Sequence, residues 1–361
     1  MDNLEIFKGS HEPHNNLEQL PLPPPWRHSS SQERPTLPEK PLFDLQLEEK
    51  RGKPICLREE VKRAVNAALF LRRPLLVTGK PGVGKSSLAF AVAYELRMGP
   101  VLRWPITSRS TVKNGLYEYD AIGRLYAQQT GNRKVSLSDF IVLGPLGTAL
   151  YPTNWPRVLL IDEIDKGDLD LPNDLLNVLE EGMFEIPELA RETEQPENPN
   201  KQVLGKETSG NIGNTHELVK VKLHDIDSPQ PISGGRVICR QFPFIVMTSN
   251  GEREFPAPFL RRCIQIVMPE PSPSELAEII HAHLANLEKQ FEGGHEVQEE
   301  ISGLIATFVE RRTSQLLATD QLLNATFMIL SRVKSMGAIV NDIERERVCD
   351  LILTQLTTLQ K

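Results

Sequence analysis

The sequence predicts an α/β fold of five short apolar strands interleaved with helices, followed by an all-helical domain. Three observations predict it. The run Gly79-Lys80-Pro81-Gly82-Val83-Gly84-Lys85-Ser86 is a complete G-x-x-x-x-G-K-[ST] pattern, set between an apolar stretch at 74–78 and a helical stretch at 87–96. The string RVLLIDE (157–163) is a second apolar run, and it ends in two acids. Beyond Pro269 the spacing is helical throughout, in segments near 273–290, 296–311, 319–336 and 342–359.

In chain order, residues 1–50 are polar and proline-rich, centred on Leu20-Pro21-Leu22-Pro23-Pro24-Pro25-Trp26-Arg27. Proline fixes φ and removes a donor, so this run favours polyproline II over a helix or a central strand. It reads as a flexible arm, either a disordered tail or one that docks through Trp26 onto a neighbouring subunit or partner. The α/β core is expected over 51–269 and the helical lid domain over 270–361. Val61, Val65, Ala68 and Leu69 recur at helical spacing within Glu59–Leu71, and Pro74 closes that helix. Strands follow at 74–78 and, after the Gly99-Pro100 break, at 101–106. Residues 107–150, a mixed polar segment with Tyr117, Tyr119 and Tyr126, are too long for an ordinary connection and predict an inserted helix or hairpin.

The acid-tipped strand at 157–163 leads into a helix at 172–182, with Leu175, Leu176 and Leu179 on one face and Gly182 at its end. Residues 190–236 predict a flexible loop carrying a hairpin, signalled by the alternation at 218–223. A fourth strand at 244–250 ends in the polar tip Asn250, and a fifth at 264–268 follows a helix that ends at 259–263.

The glycine loop carries the chemistry. A strand, a glycine turn and a helix N-terminus point backbone N–H groups inward and make an anion site. Gly79, Lys80, Pro81, Gly82, Val83, Gly84, Lys85, Ser86 and Ser87 are therefore the candidate nucleotide-binding residues. Lys85 would reach the β- and γ-phosphates and Ser86 would ligate Mg²⁺. At ordinary composition a chain of this length matches the bare pattern by chance about once in a hundred cases, and the flanking strand and helix lower that further. Asp162 would hold Mg²⁺ through its water shell, and Glu163 would polarise an attacking water. Asp165, Asp168 and Asp170 read as the solvated turn and cap of the next helix. No N-K-x-D guanine-reading motif is present, and Asn200-Lys201-Gln202-Val203 lacks the acid, so ATP is the expected nucleotide.

Composition narrows the partners. The 361 residues give room for about two domains, and 39% hydrophobic with 25% charged residues is ordinary for a globular chain. A net charge of −7 argues against a nucleic-acid protein. Cys56, Cys239, Cys263 and Cys349 form no C-x-x-C pair, so a zinc or disulfide framework is not expected and a reducing cytoplasm is. No basic stretch followed by an apolar one opens the chain, and no apolar run approaches the ~18 residues of a membrane span, so neither a signal peptide nor a membrane is expected.

These residues resemble the AAA+ ATPases, and most closely their MoxR-like branch. The resemblance spans roughly 58–340 and rests on GKPGVGKS (79–86), LLIDEIDK (159–166), DLPNDLLNVLEEG (170–182), TSNGEREFP (248–256) and FLRRC (259–263), in the expected order. It implies a five-stranded parallel sheet, a helical lid and a ring, commonly a hexamer, with nucleotide between subunits. The segments 107–150 and 190–236 take the positions of the branch's helix-2 insert and pre-sensor hairpin, which the resemblance implies would touch a client, with Tyr117 and Tyr119 as candidate gripping residues or, equally, core residues. Asn250 falls at the sensor-1 position that orients the lytic water, and Arg262, with Arg261 beside it, falls at the trans arginine finger. Outside that order the two arginines would read as a solvated helix C-terminus. One feature departs from the family: Thr319-Asp320-Gln321 stands where a sensor-2 arginine is expected, leaving Arg311 or Arg312 as substitutes.

The resemblance implies an Mg²⁺-dependent ATPase that remodels a protein client, such as a von Willebrand factor A-domain protein. Two alternatives stand beside it, a slow-hydrolysing switch or scaffold in a stress or defence system, and a DNA-associated motor.

Overall fold

Five strands form one parallel sheet: β1 (Leu75–Thr78), β2 (Leu102–Pro105), β3 (Val158–Asp162), β4 (Phe244–Ser249) and β5 (Ile264–Val267). Their order is β5-β1-β4-β3-β2. The structure, a computed structural model, describes residues 5–27, 33–37, 45–52, 55, 57–129, 136–193, 218–288, 294–336 and 342–353. Burial accounts for the strand order. β4 is buried along its whole length and β3 and β1 at all but their last residue, as strands covered on both faces must be. β2 and β5 alternate in exposure and take the two edges, and the edge position tolerates Pro105.

Successive residues point to opposite faces, so one strand feeds two cores. Leu159, Ile161, Ile245 and Met247 pack on one side with the two inserts. Leu160, Val246, Leu75 and Val77 pack on the other with α1 (Glu59–Leu71) and α2 (Ser87–Glu95). Helix α3 (Leu171–Glu181) ends at Gly182, whose φ of +63° is the left-handed conformation glycine adopts without a Cβ penalty. The short α4 (Ala257–Leu260) precedes β5. The lid consists of α5 (Pro273–Glu288), α6 (Gly294–Arg312), α7 (Thr319–Met336) and α8 (Asp342–Ile352), packed through Leu276, Ile280, Leu304, Phe308, Leu322 and Ile329. Its four helices follow the predicted segments, except that 354–359 lies outside the described residues.

The 107–150 insert contains both of its expected alternatives. Helices Val112–Leu116 and Ala121–Gln129 accompany an antiparallel pair, Tyr117–Tyr119 with Ile141–Leu143. Tyr117 is core rather than a gripping residue: it is buried, and its hydroxyl donates to Glu188 Oε2 at 2.8 Å. Tyr119 packs partly buried against the same cluster. The expected loop of 190–236 lies outside the described residues over 194–217. Its remainder pairs as Leu218–Val221, Gln230–Ser233 and Arg236–Ile238, joined to Met183–Glu185 in a four-stranded antiparallel sheet. The two inserts touch where the Leu143 N–H donates to the Lys222 carbonyl at 2.9 Å.

The arm differs from its sequence-based reading. Its described residues 5–27 lie on the core instead of forming a free tail. The N–H groups of Ile6 and Phe7 donate to Asn66 Oδ1, each at 2.9 Å, and those of Lys8, Gly9 and His11 donate to the buried Glu95 carboxylate. Phe7, Leu17 and Leu20 are buried, whereas Trp26 is 67% exposed. Residues 6–11 have no hydrogen-bond ladder of their own, and Asn66 of α1 and Glu95 of α2 accept from their backbone instead.

Candidate functional site

β1 runs into the glycine loop, and α2 leaves it. Gly82 and Gly84 have φ of +75° and +89°, values that side chains rarely adopt. At Gly82 the lid also presses on the loop: an added Cβ would lie 2.4 Å from Ala318 Cβ and 2.7 Å from the Thr319 nitrogen. Gly82→Ala is therefore expected to displace the lid and to weaken nucleotide affinity about tenfold, given strain on the order of 1–3 kcal/mol. Titration with a fluorescent ATP analogue checks this; unchanged affinity would show that the lid does not rest on the loop in solution.

Lys85 is almost fully buried, and its Nζ donates to the carbonyls of Gly79 (2.7 Å) and Lys80 (2.8 Å) and to Asn250 Oδ1 (2.9 Å). Burial pushes its pKa down, and the carboxylates of Asp165, Asp162 and Glu163 oppose that shift. The Ser86 hydroxyl donates to Asp162 Oδ1 at 2.7 Å, as does the Thr248 hydroxyl at 2.7 Å. Arg103 reaches Asp162 Oδ2 at 3.3 Å. A hydroxyl and a carboxylate oxygen this close are a hard-oxygen pair suited to Mg²⁺. Among the described residues no group of three or more His, Cys, Asp or Glu side chains could hold a metal.

Glu163 follows β3 with φ +59° and ψ +51°, a strained conformation for a residue with a side chain. Its N–H donates to the Thr248 hydroxyl at 2.9 Å, and Lys166 Nζ donates to its carboxylate at 2.7 Å. Asp165 corrects the sequence reading. It is 6% exposed, not a solvated turn, and its Oδ2 accepts from the Ser249 hydroxyl and the Asn250 N–H, each at 2.9 Å. Asp170 does precede α3, without a side-chain capping bond.

Between core and lid lies a cleft of about 440 Å³, a volume in the range of small-ligand sites. Residues 81–87, Asp162, Glu163, Thr248 and Asn250 line its core side, and Ile279, His283, Thr319, Asp320 and Leu323 line its lid side. Gly79 and Lys80 contribute carbonyls to Lys85, while the Lys80 ammonium turns to Glu270 at 2.5 Å. Arg261 and Arg262 do not line this cleft. Arg261 is exposed beyond α4, and Arg262 pairs with Glu180 on α3 and donates to the Pro258 carbonyl at 3.2 Å. The Arg262 guanidinium holds the Glu180 carboxyl below its usual range.

Neither proposed substitute for the sensor-2 arginine lines the cleft. Arg311 pairs with Asp350 at 2.7 Å, and Arg312 with Glu270 at 3.3 Å. Arg58 does line it, a residue that sequence reasoning missed. It donates twice to Glu275 of α5, at 2.9 and 2.7 Å, tying the start of α1 to the lid and holding the Glu275 carboxyl at about 2. No local pattern marks Arg58, because its partner lies in the other domain.

The parallel sheet, the glycine loop between β1 and α2 and the helical region closing over that loop define a P-loop nucleotide-binding protein. Residues 74–251 match the AAA domain of the dynein-related subfamily. That stretch is thus similar to an AAA domain, and the helical region lies C-terminal to it. None of the curated proteins matches the chain. Among solved structures it is similar to domain III of the Thermotoga maritima replication initiation protein DnaA, at 15% identity and a TM-score of 0.41, covering 88% of this chain and 100% of that one. Among the described residues no helix is long and apolar enough to cross a membrane.

Proposed function

We propose that this chain is an Mg²⁺-dependent ATPase of the MoxR-like AAA+ type, acting as a cytoplasmic ring, commonly a hexamer, that remodels a protein client. The observation that carries the reading is the joining of three elements at one point. Lys85 of the glycine loop meets Asn250 at the tip of β4, and Ser86 meets Asp162 at the tip of β3. In this reading residues 79–87 hold the triphosphate, Ser86 and Asp162 hold Mg²⁺, and Glu163 polarises the water that Asn250 orients. The bound ion would neutralise developing charge on the phosphates. Lys166 must release Glu163 before that carboxylate can accept from water. The same contact favours the second reading, a slow-hydrolysing switch. Arg262 would act on the neighbouring subunit's nucleotide, which agrees with its position away from its own cleft. A von Willebrand factor A-domain protein remains the proposed class of client, on the resemblance alone.

The test is ATP turnover per chain measured against protein concentration, with light scattering alongside. A shared-site ring gives a steep rise that coincides with assembly. Turnover per chain that stays flat through assembly would sink the shared site and leave a cleft that works within a single chain.

A further inference from the structure

Asp165 sits in the single helical turn Ile164–Lys166 directly after β3, yet it faces inward. One oxygen, Oδ2, gathers the whole loop beyond β4. It accepts from the Ser249 hydroxyl at 2.9 Å, the Asn250 N–H at 2.9 Å and the Glu252 N–H at 3.3 Å. Ser249 Oγ in turn accepts from the Gly251 N–H at 3.0 Å. Its other oxygen, Oδ1, makes no hydrogen bond among the described residues. On the far side of the turn, Arg253 donates to the carbonyls of Ile164 (3.3 Å) and Asp168 (3.1 Å), so the two loops are tied together twice.

A carboxylate is costly to bury unless several donors compensate it, and bonds to an ionised acceptor are about twice as strong as neutral ones. A solvated cap needs neither the burial nor the three donors. Asp165 is absent from the lining of the cleft, so it acts through another residue. That residue is Asn250, whose N–H it holds and whose Oδ1 meets Lys85 Nζ at 2.9 Å.

We infer that Asp165 is a positioning residue that fixes Asn250 against Lys85 and the attacking water. The inference rests on the reading of Asn250 as the water-orienting residue. Misplacing such a group by 1 Å can cost about 10²-fold in rate. Asn at 165 keeps the shape and can still accept, but it removes the charge that strengthens all three bonds.

The experiment compares Asp165→Asn, Ser249→Ala and Asn250→Ala for Mg-ATP turnover, for binding of a fluorescent ATP analogue and for thermal unfolding. Asn250→Ala is expected to lose turnover. Asp165→Asn is expected to lower kcat about tenfold while KM and analogue affinity stay within about twofold, the pattern of a group that matters only in the transition state. Ser249→Ala should move kcat in the same direction and less, since it removes one of the three bonds and leaves the charge. If Asp165→Asn keeps the parent kcat while Asn250→Ala loses it, the positioning role is wrong and the site reading stands. A kcat loss in Asp165→Asn matched by an equal loss of analogue affinity would overturn the role as well, since that would report general disturbance of the site. If Asn250→Ala itself turns over ATP at the parent rate, the reading of Asn250 fails.

Discussion

Glu163→Gln is expected to lower ATP turnover by about 10²–10⁴-fold while nucleotide binding and assembly persist. The glutamine has nearly the same shape, so it can keep the backbone bond to the Thr248 hydroxyl and a contact with Lys166. It cannot take a proton from water. The size of the loss separates the two functional readings. A remodelling ATPase loses its output with its turnover, whereas a switch whose output is assembly keeps it. The left-handed backbone at Glu163 adds a second consequence. Glycine relieves that strain but removes the carboxylate, so Glu163→Gly should match the glutamine variant in turnover without losing stability. Steady-state turnover and thermal unfolding measured on both variants decide this.

Arg262→Ala is expected to cost on the order of 10³–10⁵ in turnover, the range for an arginine supplied in trans to a transferring phosphoryl group. The chain's own cleft should still bind nucleotide, because Arg262 is not among the residues lining it. Mixing sharpens the test. A ring containing Glu163→Gln and Arg262→Ala chains places intact fingers beside intact clefts at some interfaces, so turnover should return on mixing two inactive variants. Failure to recover, with mixed assembly verified, would remove Arg262 from the mechanism. Its observed pairing with Glu180 would then be its whole role. If Arg262 does act in trans, it must leave Glu180 when a neighbour docks. Charged hydrogen bonds at this exposed edge are screened by water and are cheap to exchange.

Much of the fold was legible because it is written locally. The strand cores at 75–78, 158–162 and 244–249 are apolar runs bounded by turn residues, and the structure places them side by side inside the sheet. The glycines at 82 and 84 announce backbone that only glycine takes easily, and the string that contains them is contiguous. Asn250 was reached by its place at the end of an apolar strand.

Asp165 was misread for a related reason. Beside Asp168 and Asp170 it looks like one more polar turn residue, and its partners at 249–252 lie some 85 positions away. Arg58 carries no motif, and its partner Glu275 is 217 positions distant. The arm is polar and proline-rich with its apolar residues at no regular spacing, while the groups that hold it, Asn66 and Glu95, belong to helices read for other purposes.

By itself, then, the sequence determined the class of fold and the places of the glycine loop and of the two acids at a strand end, since each depends on backbone conformations and hydrophobic alternation encoded within a few neighbouring residues. The tertiary structure alone decided which carboxylate is buried, which arginine ties core to lid, that Arg262 rests on Glu180, and where the arm lies. A hydrogen bond or ion pair between distant segments leaves no periodicity in either one, and its donors and acceptors meet only when the sheet has closed and the lid has packed over the loop.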